Sequence, residues 1–206
     1  YIAAILKFFL AIVIVSMMAN EYSYGTLKQN LIDGMSKQEF VLSKFLTVVV
    51  FAAASTVFVF VMSLILGYSF SSYTEFSIVF SDLEYLLAYF IKLLGFFSFC
   101  LFLGILVKKS AFAIGFLFVW SIIEGISKGI LKFEVFPEGK TADTILQFFP
   151  LESMSNLIKE PFTRLSVAKT LETTIGGKEV IRDYSIHFSE IAIVLVWTFI
   201  FILTSY

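Results

Sequence analysis

From Phe45 to Tyr68 the chain carries no charged residue. A helix needs around 20 mostly apolar residues to cross a hydrocarbon core of about 30 Å, so this run alone is long enough to span a bilayer. A water-soluble fold would have to bury it on every side, and the chain lacks the polar residues to do so. It is 59% apolar and 15% charged, against about 45–50% and about 25% in ordinary globular proteins, and its mean hydropathy is +0.92. Four further stretches read as crossings: Ile2 to Met18, interrupted by Lys7; Leu86 to Val107, around Lys92; Ala111 to Leu131, around Glu124; and Phe188 to Ser205, with Glu190 at its mouth. The expected fold is an all-α polytopic membrane protein with residues 1–206 in one transmembrane domain. The first stretch has no basic start and leads into Asn20, Glu21 and Tyr22, which favours an internal crossing over a signal peptide. Its abrupt opening at Tyr1, and the equally abrupt stop at Tyr206, are expected of a trimmed chain.

Orientation follows from Lys and Arg in the short loops. Residues 20–44 hold Lys28, Lys37 and Lys44, and the turn between the third and fourth stretches holds Lys108 and Lys109, whereas the loop from Ser69 to Glu84 has only Glu75, Asp82 and Glu84. The Lys-bearing segments are therefore expected in the cytoplasm. Two crossings lie between them, which returns the chain to the same side. Residues 132–187 then form a small extracytoplasmic element. In it Asp143 is expected to cap a short helix through Phe149 ended by Pro150, with a second helix through Met154 to Lys159 before Pro161. Gly176-Gly177 reads either as a hairpin turn or as a linker.

The segment from Glu21 to Lys44 encodes two helices and a break. Thr26-Leu27-Lys28-Gln29 has the spacing of a capping box, Gly34 that of a left-handed stop, and Ser36-Lys37-Gln38-Glu39 that of a second box flanked by Met35 and Phe40 as a hydrophobic staple. The second helix should run straight into the membrane. The first is amphipathic, with Leu27, Leu31 and Ile32 opposite Lys28, Gln29 and Asp33. It reads either as a helix resting in the headgroups or as a docking knob for a soluble partner.

Glu21 at the end of a membrane helix, Gly25-Thr26 opening a short helix, Ser36-Lys37, and Ser43-Lys44 at the next membrane helix together resemble the membrane (permease) subunit of type-2 ATP-binding-cassette exporters. The motif covers about 24 residues, although the spacing of crossings extends the match to nearly the whole chain. The resemblance implies six membrane helices, of which five are present here, and a coupling helix that seats in a groove of a soluble ATPase subunit. The coupling residues would be Glu21, Tyr24, Gly25, Thr26, Leu27, Lys28, Asn30, Leu31, Gly34, Ser36, Lys37 and Lys44. It also implies a dimer with a second permease copy or homologue, residence in the bacterial cytoplasmic (inner) membrane among its lipids, and ATP and Mg bound by the partner rather than by this chain. The family usually has Arg where this chain has Lys37, which removes a bidentate contact at that point.

Three ionisable groups fall inside apolar stretches. Lys92 lies 15 residues before Val107 and Glu124 lies 14 after Ser110, so both sit roughly 21–22 Å from the Lys-rich end, with Lys7 at about 20 Å. Such charges usually pair or face water. Glu124 is expected to pair with Lys92 or Lys7 across helices, or with Lys128 at i+4. Gly125 and Gly129, with Trp120 in the same stretch, form a small-xxx-small pattern suited to close helix contact, within the chain or with a second subunit. The 26 Phe residues read mainly as lipid-facing bulk, or as the lining of a path for an apolar substrate.

No catalytic residue is expected. The phosphate-cradling G-x-x-x-x-G-K-[ST] spacing does not occur. One His (His187) and one Cys (Cys100) make neither a zinc-type cluster nor a disulfide framework, so no metal site is expected. A net charge of −1 argues against a nucleic-acid partner. Two rivals to the exporter reading remain at this level: a secondary transporter or channel relaying ions through Lys7, Lys92 and Glu124, and a membrane scaffold or immunity factor that transports nothing.

Overall fold

The computed structural model describes residues 2–70, 83–136, 140–158 and 185–206. Every regular element among them is helical: α1 Ile2–Ser23, α2 Thr26–Ile32, α3 Lys37–Phe70, α4 Leu83–Val107, α5 Ser110–Ile130 running into a π-helical turn Leu131–Val135, α6 Lys140–Leu146, α7 Pro150–Asn156 and α8 Phe188–Thr204. Three helical stretches among the described residues, Lys37–Ser69, Leu83–Val107 and Ser110–Val135, are long and apolar enough to cross a bilayer. Lys7–Ser23 and Thr26–Ile32 add a fourth if that pair, bent by 65°, counts as one span. The described residues are thus all-helical, with the build of a membrane protein. The expected last crossing is a 17-residue apolar helix, about 26 Å long and short of a full hydrocarbon core.

At the centre stands α4, which packs against α1, α3, α5 and α8. Of its apolar window 61% is buried, against 22% for α3 and 17% for α5, so one helix is core and two are largely periphery. Glycine permits this crowding. A Cβ at Gly104 would come within 2.9 Å of Met18 Cβ on α1, and one at Gly95 within 2.9 Å of Val194 Cγ1 on α8. Hydroxyl groups in these helices are satisfied locally: Ser55 donates to Phe51 O, Thr56 to Ala52 O and Ser98 to Leu94 O, which removes the cost of an unpaired donor in an apolar setting.

Some boundaries move. Asp143 lies inside the first turn of α6 and pairs with Lys132 Nζ at 2.7 Å instead of capping. Pro150 opens α7 rather than ending the helix before it, because proline has no N–H to lose at a first helical position. The Gly176-Gly177 reading, Pro161 and most of the Ser69–Glu84 loop lie outside the described residues.

Candidate functional site

The junction of α1, α2 and α3 gathers most of the expected coupling residues. α1 ends at Ser23, and Gly25 holds a left-handed backbone, φ 72°, that a side-chain-bearing residue rarely adopts. The 65° bend between α1 and α2 falls there. The Gly25 carbonyl accepts from Lys28 N at 3.0 Å and Gln29 N at 3.2 Å, so Gly25 is the N-cap and Thr26 the first helical residue. The Thr26 capping box is therefore corrected. The Thr26 hydroxyl turns back to donate to the Glu21 carboxylate, because that charged acceptor, five residues upstream on α1, outcompetes a neutral backbone contact.

Glu21 uses its other oxygen to pair with Lys44 of α3, whose ammonium also lies 5.2 Å from the Phe40 ring centroid. One carboxylate thus ties the end of α1 to the start of α2 and to α3. Glu21 lies beyond the apolar run of α1. Burial alone would raise its pKa, but the bonds from Lys44 and Thr26 outweigh that and hold the carboxyl below its usual value.

The other end of α2 matches its sequence chemistry. Gly34 is left-handed at φ 104°; Met35 N donates to Asn30 O at 3.1 Å and Gly34 N to Leu31 O at 3.4 Å, the two bonds of a Schellman close. At the start of α3, Ser36 N donates to Glu39 Oε2 at 2.8 Å and Glu39 N to Ser36 Oγ at 3.2 Å, a complete capping box.

The orientation of α2 revises its expected apolar face. Leu27 and Leu31 turn inward and line a cavity shared with α1, α3, α4 and α8. Ile32 is 83% exposed and Tyr24 79%, and Lys28 and Gln29 are exposed as well. The outward side of α2 is therefore Tyr24, Lys28 and Ile32, with Leu27 and Leu31 half-buried.

The buried charges find partners that spacing does not reveal. Glu124 pairs with neither Lys92, Lys7 nor Lys128. Its Oε1 accepts from Trp120 Nε1 at 2.6 Å and Leu151 N at 3.2 Å, and its Oε2 from Glu152 N at 2.9 Å. These backbone donors belong to the first turn of α7, whose N-cap is Phe149, a residue with no side-chain oxygen to offer. Glu124 supplies the missing cap from 27 positions away. Lys128 instead pairs with Glu152 at 2.6 Å, Lys92 donates to Ser155 O at 3.3 Å, and Trp197 of α8 donates to Phe148 O at 2.9 Å. Short helix α7 is thereby fastened to α4, α5 and α8. Lys7 lies over the rings of Phe8 and Phe96, 5.2 and 5.0 Å from their centroids. A helix start with no capping residue of its own, at Phe149-Pro150, is the sequence signal that an outside acceptor is needed.

Gly125 and Gly129 pack against none of the described residues: a Cβ at either meets nothing among them within 4 Å. Gly95 and Gly104, which carry no small-xxx-small signature, are the close-approach positions. Trp120 stacks with Phe116 and meets Phe99. His187 Nε2 lies 3.3 Å from Ser185 Oγ on an exposed surface. Among the described residues no group of three or more His, Cys, Asp or Glu could hold a metal ion.

A family model described as "Protein of unknown function (DUF2705)" matches residues 1–206. No curated protein and no solved structure matches the chain.

Proposed function

The chain belongs to the DUF2705 family, and we propose that it is the permease subunit of an ATP-driven export complex, with α2 as the coupling helix that a separate ATPase subunit grips. The observation that carries this reading is the Glu21 knot, in which one carboxylate joins α1, α2 and α3. A seven-residue helix held only by its own backbone bonds would absorb a push by unwinding. With Glu21 and Gly25 at one end and the Gly34 turn and Ser36–Glu39 box at the other, α2 passes a displacement on to two membrane helices. In this reading α1 and α8 also cross the membrane, making five spans, and two copies of the chain open and close a shared cleft. ATP and Mg belong to the ATPase. The α7 clamp closes the opposite end of the subunit, so opening there would require Glu124 and Lys128 to release it.

The relay reading of Lys7, Lys92 and Glu124 receives less support, because both Glu124 oxygens are occupied by donors on Trp120 and α7. The test exploits the outward side of α2. Co-expressed with its ATPase, Ile32→Asp should abolish co-purification and stimulated hydrolysis while leaving thermal stability near wild type. Leu31→Asp should lower stability instead. Retained ATPase binding by a folded Ile32→Asp protein would remove the proposal.

A further inference from the structure

Between α2 and the rest of the bundle lies a cavity of about 490 Å³, within the range of small-ligand sites. Its walls divide by chemistry. Leu31, Phe102 and Leu106 are among its apolar lining residues, Lys37 and Lys108 line it together with Tyr22, and no Asp or Glu side chain lines it among the described residues. Neither lysine makes an ion pair with a described residue.

Lys108 stands at the end of α4, at the edge of this cavity. It is the one described non-glycine residue with positive φ, 59°, in the tight turn between α4 and α5. A left-handed backbone is unfavourable for a non-glycine residue, and helices commonly close on Gly at such a position. Here the turn carries a lysine, and its ammonium stands 5.5 Å from the Tyr22 ring centroid at the cavity wall. The turn is closed by Lys108 N donating to Gly104 O at 3.1 Å, and it sets this lysine at the cavity edge.

We propose that this cavity binds the anionic headgroup of a membrane phospholipid, its phosphate between Lys37 and Lys108 and the first acyl carbons against Leu106 and Phe102. Charge complementarity selects the headgroup and the apolar wall selects a lipid over a free anion. The site lies at the end of the bundle where Lys28, Lys37, Lys44, Lys108 and Lys109 gather, the end that positive-charge asymmetry places at the anionic leaflet. A lipid there would brace α2 and α3 against the α4–α5 turn. The site does not depend on the ATPase reading.

The test is a thermal-shift titration of the full chain in neutral detergent with dioleoylphosphatidylglycerol, dioleoylphosphatidylcholine or inorganic phosphate, with bound lipid counted by native mass spectrometry. The expected result is a saturable stabilisation by phosphatidylglycerol alone. At about 1 kcal/mol per lysine, Lys37→Gln with Lys108→Gln should weaken it by about 30-fold. Lys108→Gly, which relaxes the backbone and so should fold at least as well, should weaken it about 5-fold. Lys132→Gln at the far end should leave it unchanged. Equal binding by a folded double variant or by Lys108→Gly, an equal shift with phosphate or phosphatidylcholine, or an equal loss in Lys132→Gln would each overturn the assignment.

Discussion

Two carboxylates do opposite work at the two ends of the molecule. Glu124 is 8% exposed and satisfies backbone donors, so its removal strands the N–H groups of Leu151 and Glu152. Glu124→Leu should cost about 2–4 kcal/mol, read as a lowered melting temperature in nanodiscs. The charge swap Lys92→Glu with Glu124→Lys should fail to restore expression lost in the single variants, since the two residues do not meet; rescue would show that the pairing of Glu124 with α7 is wrong. Glu21, by contrast, holds two side chains near the surface. Its carboxyl ionises below the ordinary value of 4.5, so whatever the knot contributes is complete above that value and is lost as pH falls through the lowered one. Stability should be flat in this respect between about pH 6 and 8 and decline below about 4. Glu21→Gln should remove that decline and cost about 1–2 kcal/mol at neutral pH.

Among the elements, α4 is the part that tolerates least. Gly104→Val would drive a branched side chain into Met18 and the α1 backbone, and overpacking of this kind costs about 1–3 kcal/mol or more. The same change at Gly125 meets no described residue within 4 Å. Parallel melting curves of the two variants should therefore show a clear loss for Gly104→Val and little change for Gly125→Val, and equal losses would contradict the packing described. Helix starts divide by where the acceptor lies. Where a capping residue sits next to its helix, as at Ser36, sequence spacing identifies the bond. At Thr26 the spacing points to a box, but a charged acceptor one turn back on α1 takes the hydroxyl. At Phe149 no local acceptor exists and a distant carboxylate serves.

For the whole molecule, the orientation argued from Lys28, Lys37, Lys44, Lys108 and Lys109 is open to direct measurement. Cys100 is fully buried, so a cysteine placed at the exposed positions Ile32 or Ile145 reports its own side. An impermeant maleimide applied to intact cells should label Ile145→Cys and spare Ile32→Cys until the membrane is opened. The reverse pattern would invert the topology and move the lysine-lined cavity to the outer leaflet.

Apolar length, charge asymmetry and contacts within about five residues are written along the chain. That is why the apolar stretches, the Gly34 stop and the Ser36–Glu39 box are legible in the amino-acid order alone. Which surface of a helix meets which neighbour depends on contacts between residues tens of positions apart, and spacing carries no record of them. The inward turn of Leu27 and Leu31, the Glu21–Lys44 pair 23 residues apart, the capping of α7 by Glu124 and the choice of Gly95 and Gly104 over Gly125 and Gly129 are decided only when the helices pack around α4. A buried polar group takes whichever partner the packed bundle places within reach, not whichever lies nearest in sequence.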